Sequence, residues 1–204
     1  MSIKLILICC SFLLFIVYNS VALGIFGPNE IWSMSRTYYL YEGKKKHLGW
    51  IFTAFMFSMC ALLMPAWLEV SDNLGSWMSN FTFLAFLAAA MILFVGAAPA
   101  YYEKLEGDVH MAAAKTCAAT ALAWCFIACW QIWYVPLIAM IVPVIIGMCL
   151  KTFPIFKWLS KIPKCKEWKW VQDECKWEDN KAYWLEMMAF DATFATIITA
   201  ELVL

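Results

Sequence analysis

The chain has 204 residues, of which 64% are hydrophobic and 15% charged, against about 25% charged in ordinary soluble domains. Fifteen basic residues balance fifteen acidic ones, which argues against a nucleic-acid-binding surface and against a general pull on acidic substrates. So apolar a chain cannot cover its side chains with its own polar surface, and the bilayer is its natural solvent.

Six apolar segments follow in chain order, over about 3–26, 48–70, 77–102, 109–133, 135–156 and 182–204. Each is near or above the roughly 20 residues needed to span hydrocarbon. Backbone polar groups must pair internally in lipid, so helices are expected rather than strands. The expected fold is all-α, a single polytopic domain over 1–204 forming a six-pass transmembrane helical bundle. Gly27–Pro28 ends the first segment, and Pro143 is expected to kink the fifth. Only "QIWYVP" separates the fourth from the fifth, which predicts a tight helical hairpin. Gly96 and Ala100 form a small-xxx-small pair, and the alanines of the fourth segment read as close helix contact.

The charges set the orientation. Arg36, Lys44, Lys45 and Lys46 follow the first segment, Lys104 and Lys115 flank the start of the fourth, and eight lysines lie between Lys151 and Lys181. In a six-pass chain all of these share one side, and Lys4 is on the other. The positive-inside rule places them in the cytoplasm and both termini on the non-cytoplasmic side. Ser20–Ala22 resembles a signal-peptide cleavage site. Cleavage there would leave Lys44 to Lys46 outside, so the first segment is read as a retained helix.

The stretch 157–181 reads as a cytoplasmic, Trp/Lys-rich interfacial loop. Trp168, Trp170 and Trp177, with Trp158 and Trp184 beside them, are expected in the headgroup layer or against a partner. Seven cysteines fall in membrane segments, where cysteine packs as a small apolar residue. Cys165 and Cys175 match no zinc spacing. No P-loop, dinucleotide-binding glycine pattern or H-E-x-x-H occurs. No cofactor, metal or catalytic residue is assigned on these grounds.

Ionisable residues within a membrane are costly and therefore candidates for function. Ser33, Ser35, Arg36, His110, Lys115 and Glu186 all belong to the expected cytoplasmic half and could border one inner-leaflet polar pocket. His110 and Glu186 could pair there. Asp191 lies deeper and needs Lys115, a water-lined cavity or a proton. Glu186 and Thr193 share a helix face at i, i+7, whereas Asp191 is roughly 140° from Glu186. Glu69, Asp72 and Glu201 lie at the outer end, with Glu201 expected to reach water.

"SMSRTYY" (33–39), the histidine of "VHMAAA" (109–114) and "YWLEMMAF" (183–190) together resemble an uncharacterised family of small multi-pass bacterial and phage membrane proteins. "LLMPAWLEVSD" (62–72) and "FLAFLAAAMILFVGAAPA" (83–100) fit the same pattern. That resemblance implies a multi-pass protein of a bacterial inner membrane. A more distant likeness is to the CREST group of membrane hydrolases. It would imply a zinc site of a serine, an aspartate and three histidines. The chain holds only His47 and His110, so His110, Asp108 and Glu186 would have to serve.

The leading expectation is a non-catalytic envelope protein binding membrane lipids, a membrane protein partner or a second copy of itself, with no nucleic acid. One alternative is a small transporter or channel using Asp191 and a His110–Glu186 pair. Another is a CREST-like metal-dependent lipid hydrolase carried by Ser33 or Ser35 with His110.

Overall fold

The computed structural model of the chain describes residues 2–28, 30–44, 47–75, 77–100, 102, 104–150 and 181–204. All regular structure among them is helical. The α-helices are α1 (Ile3–Phe26), α2 (Arg36–Lys44), α3 (Trp50–Asp72), α4 (Thr82–Ala97), α5 (Lys104–Ala123), α6 (Tyr134–Cys149) and α7 (Lys181–Val203). A 3₁₀ turn over Met78–Phe81 leads into α4. A π-helical turn over Trp124–Ala128 extends α5, followed by a 3₁₀ turn at Trp130–Ile132.

Four helical stretches are long and apolar enough to cross a membrane: Ile3–Phe26, Trp50–Asp72, Met78–Ala97 and Lys104–Ala128. α6 is apolar but has 16 residues, about 24 Å at 1.5 Å per residue. α7 has 23 residues, yet carries Glu186, Asp191 and Glu201. Its position explains why it need not be so apolar. It packs against α1, α3, α5 and α6, and Tyr183, Trp184, Ala192, Phe194 and Ile197 are buried in those contacts. A helix that touches protein on most sides is not selected for lipid contact.

The order around α7 follows from the interfaces. α1 packs on α3, α3 on α4, and α4 on α5. The expected hairpin between the fourth and fifth segments does not form in this way. After the π and 3₁₀ turns α6 leaves α5 and lies along α7 instead. It buries Pro136, Pro143 and Gly147, the flat side of the helix. Ile138, Ile141, Val142 and Ile145 point outward. Small side chains set the α3–α4 contact as well. A Cβ added to Gly96 would lie 2.8 Å from the Met56 Cβ, and Thr53 donates to the Gly96 carbonyl at 3.0 Å. Ala100 is not part of that contact. α4 stops at Ala97, because Pro99 disfavours helical geometry at Ala98, and the Ala100 N–H goes to Glu106.

Polar contacts define the two ends of the bundle. At one end Lys4 lies between Glu69 and Glu201, 3.6 and 3.2 Å away, and Ser2 donates to Glu201 at 2.6 Å. Glu201 is therefore held inside an ion pair, with its side chain 12% exposed, and not free in water. The described start and end of the chain lie together. At the other end are residues 31–44 and the start of α7, where the Tyr183 N–H donates to the Trp32 carbonyl. Aromatic residues stand exposed at both ends: Trp77, Trp130, Trp133 and Tyr134 at the first, Trp32, Trp50 and Tyr102 at the second. Trp184 departs from the expected interfacial group. It is in the core, edge-on to Tyr183 at 5.2 Å. Trp168, Trp170 and Trp177, with Cys165, Cys175 and all of loop 157–181 up to residue 180, lie outside the described residues.

Gly96→Ala is expected to lower stability by about 1–3 kcal/mol, the cost of overpacking a close contact. Gly24→Ala, with nothing within 4 Å of the added carbon, should be neutral. Thermal unfolding of the two variants in detergent checks this, and equal melting would contradict the α3–α4 contact.

Candidate functional site

The site is built on the turn between α1 and α2. The last carbonyls and first N–H groups of adjoining helices are orphaned and need partners from elsewhere. The turn 33–37 uses its neighbours. Ser33 caps α2, its Oγ accepting from the Arg36 N–H at 3.2 Å. The Met34 N–H donates to Glu186 Oε2 of α7 at 2.7 Å. Thr37 Oγ1 donates to the Met34 carbonyl at 2.5 Å and bonds the Tyr18 hydroxyl of α1. Ser35 Oγ and His110 Nε2 of α5 are 2.7 Å apart.

His110 is fixed from its other side by α4. Once Pro99 has ended that helix, the Ala98 carbonyl points away from it, 2.8 Å from His110 Nδ1. A carbonyl can only accept, so Nδ1 carries a proton. In the neutral ring Nε2 is then the acceptor, and Ser35 Oγ–H donates to it. Ser35 and His110 are 5% and 3% exposed, so both atoms of this bond are shielded from water.

A narrow cleft of about 70 Å³ opens beside the turn, between α3, α4, α5 and α7. Phe52, Met56, Leu63, Trp67, Val95 and Ala118 make most of it apolar, while Ser35 and Glu186 lie in its wall at one end. Thr193 joins them two turns along α7. The shared face of Glu186 and Thr193 is thus the face that lines the cleft. From Glu186 to Phe194, both in the wall, the cleft runs about 12 Å at the helical rise.

The sequence-derived candidates divide accordingly. Ser35, His110 and Glu186 converge on the turn, with Ser33 as its cap. His110 and Glu186 meet adjacent residues of that turn, Ser35 and Met34, in place of the mutual pair that was expected. Arg36 is turned to the rim. Its guanidinium sits over the Trp32 ring at 4.4 Å and donates to the Tyr102 hydroxyl at 2.7 Å. Lys115 is exposed on α5. Asp191 lies outside the lining of the cleft, and no ion pair joins it to Lys115 among the described residues. Its Oδ1 is buried without a hydrogen-bond partner among the described residues, a costly placement for a carboxylate oxygen.

Two groups were not expected. Tyr18, Asn19, Thr37 and Tyr183 form a buried polar cluster, with Tyr183 Oη donating to Asn19 Oδ1 at 3.3 Å. An asparagine inside an otherwise apolar first segment was the available clue. The Lys4–Glu69–Glu201 cluster is the other. The zinc site that the CREST likeness implies does not fit these residues. Both His110 nitrogens are engaged by Ser35 and Ala98, Asp108 is exposed, and Glu186 serves Met34. No group of three or more His, Cys, Asp or Glu side chains among the described residues is arranged to hold a metal.

Fold and site together define a helical protein with four helices able to cross a membrane and a partly polar cleft among them. No family model, curated protein or solved structure matches the chain.

Glu186→Leu leaves the Met34 N–H without its acceptor and is expected to cost about 1–3 kcal/mol. Glu186→Gln keeps an acceptor oxygen and should restore most of it. Equal melting temperatures for both variants and the parent would show that the bond does not hold the turn.

Proposed function

We propose that the chain is a six-pass membrane protein with both termini on the non-cytoplasmic side, and that it binds the apolar chain of a lipid or similar amphiphile in the cleft. The polar end of the ligand lies at the Ser35–Glu186 end, in the cytoplasmic leaflet. The observation that carries this reading is the cleft itself. It is apolar along most of its length and changes to a hydroxyl and a carboxylate at one end, the distribution an amphiphile needs. Met34 and Met56 in its wall are flexible and polarisable, which suits a variable acyl chain.

The alternation of the helices supports six passes. α6 and α7 complete an even number of crossings, in keeping with Ser2 and Glu201 meeting at one end. Exposed aromatic residues at both ends fit the two interfaces of a bilayer. α3, which joins the two ends, has 23 residues, about 34 Å, against a hydrocarbon core of about 30 Å. Arg36, Lys44 and Lys104 lie at the end that holds the turn, which supports the cytoplasmic assignment.

A tag at either terminus should react with a membrane-impermeant reagent from the non-cytoplasmic side, and a tag inserted at Gly43 should not. Termini protected there and reactive from the cytoplasm would overturn the orientation. Native mass spectrometry of the purified protein is expected to show bound lipid. Ala118→Phe, which fills the cleft, should remove it while the protein still unfolds cooperatively. Lipid retained by that variant, or absent from the parent, would refute binding in the cleft.

A further inference from the structure

The arrangement of Ser35 and His110 exceeds what holding a turn requires. A serine hydroxyl pointing at an imidazole nitrogen, with the opposite ring N–H fixed by an acceptor, is the working part of an activated nucleophile. Here the spacings are 2.7 Å and 2.8 Å. The acceptor is a backbone carbonyl, so the ring orientation does not depend on a second titrating group. The serine also lies in the wall of the cleft, at the end where the ester group of a bound acyl lipid would sit.

We propose that Ser35 accepts an acyl group from a long-chain carboxylic ester held in the cleft, with His110 as general base. This rests on the amphiphile-binding reading above. Ser35 Oγ bonds to the ester carbonyl carbon as its proton passes to His110 Nε2. The bond from that carbon to the alkoxy oxygen breaks, and the leaving oxygen takes the proton from Nε2. The products are a free alcohol and acyl-Ser35. Water then adds to the acyl carbon, its proton passing through Nε2 back to Ser35 Oγ as the carboxylic acid departs. The sum is ester plus water to alcohol plus acid. Glu186 acts as a positioning residue, because its bond to the Met34 N–H holds the backbone next to the nucleophile.

The test uses the full chain in detergent with a long-chain alkyl fluorophosphonate, followed by intact mass and peptide mapping. The expected result is one adduct per chain, on Ser35, absent from Ser35→Ala. In His110→Gln labelling should slow by about 10²–10⁴-fold, the usual contribution of a general base. Ser35→Ala should still melt cooperatively, so that loss of the adduct is not loss of the fold. Lipid bound by the parent with no adduct would overturn the nucleophile and leave the binding reading standing. Neither lipid nor adduct would overturn both. An adduct that persists in Ser35→Ala, or forms at parental speed in folded His110→Gln, would also overturn the proposal. Should His110→Gln fail to melt cooperatively, His110→Asn decides by the same labelling rate. Slowing by a similar factor in that folded variant supports the base, and labelling at parental speed removes it.

Discussion

The Met34 N–H has no partner within its own turn, and the carboxylate of Glu186 reaches it from a helix 152 residues away in the chain. That bond and the Ser35–His110 bond place one short, irregular stretch against α5 and α7 together. Tyr18 ties the same stretch to α1 through Thr37. Buried backbone groups outside a helix are tolerated where the protein supplies their partners. Three helices each hold the turn by one bond, α7 to its backbone and α5 and α1 to its side chains.

The presence of helices was legible from apolar run length alone, and their approximate limits with it. Packing partners were not. "QIWYVP" suggested a hairpin because short connections usually join neighbours in space, but the π and 3₁₀ turns before α6 redirect the chain onto α7. Gly96 was readable as a contact residue, since only a small side chain admits Met56. Ala100 was not distinguishable from it, because the helix end depends on Pro99 and not on residue size.

The candidate site was legible by residue type and by the end of the helices on which it lies. Ser33, Ser35, His110 and Glu186 were placed in one half by counting crossings and charges, and they do gather at one turn. Which atoms meet was hidden. His110 uses the Ala98 carbonyl, and a backbone group leaves no trace in side-chain spacing. Asp191 shows the opposite limit. Its place along α7 was readable from the sequence, whereas the lack of a hydrogen-bond partner for its Oδ1 among the described residues follows only from the rotation of that helix relative to its neighbours.

The central place of α7 bears on the order of assembly. It follows the other helices in the chain, yet it is the surface on which α1, α3, α5 and α6 all rest. Until it arrives, Asn19, Met34 and Lys4 lack the partners that α7 brings: Tyr183, Glu186 and Glu201. Synthesis therefore passes through a stage in which the earlier helices are complete and these groups lack those partners. α7 acts as a keystone, and a chain interrupted before residue 181 would keep them unmatched.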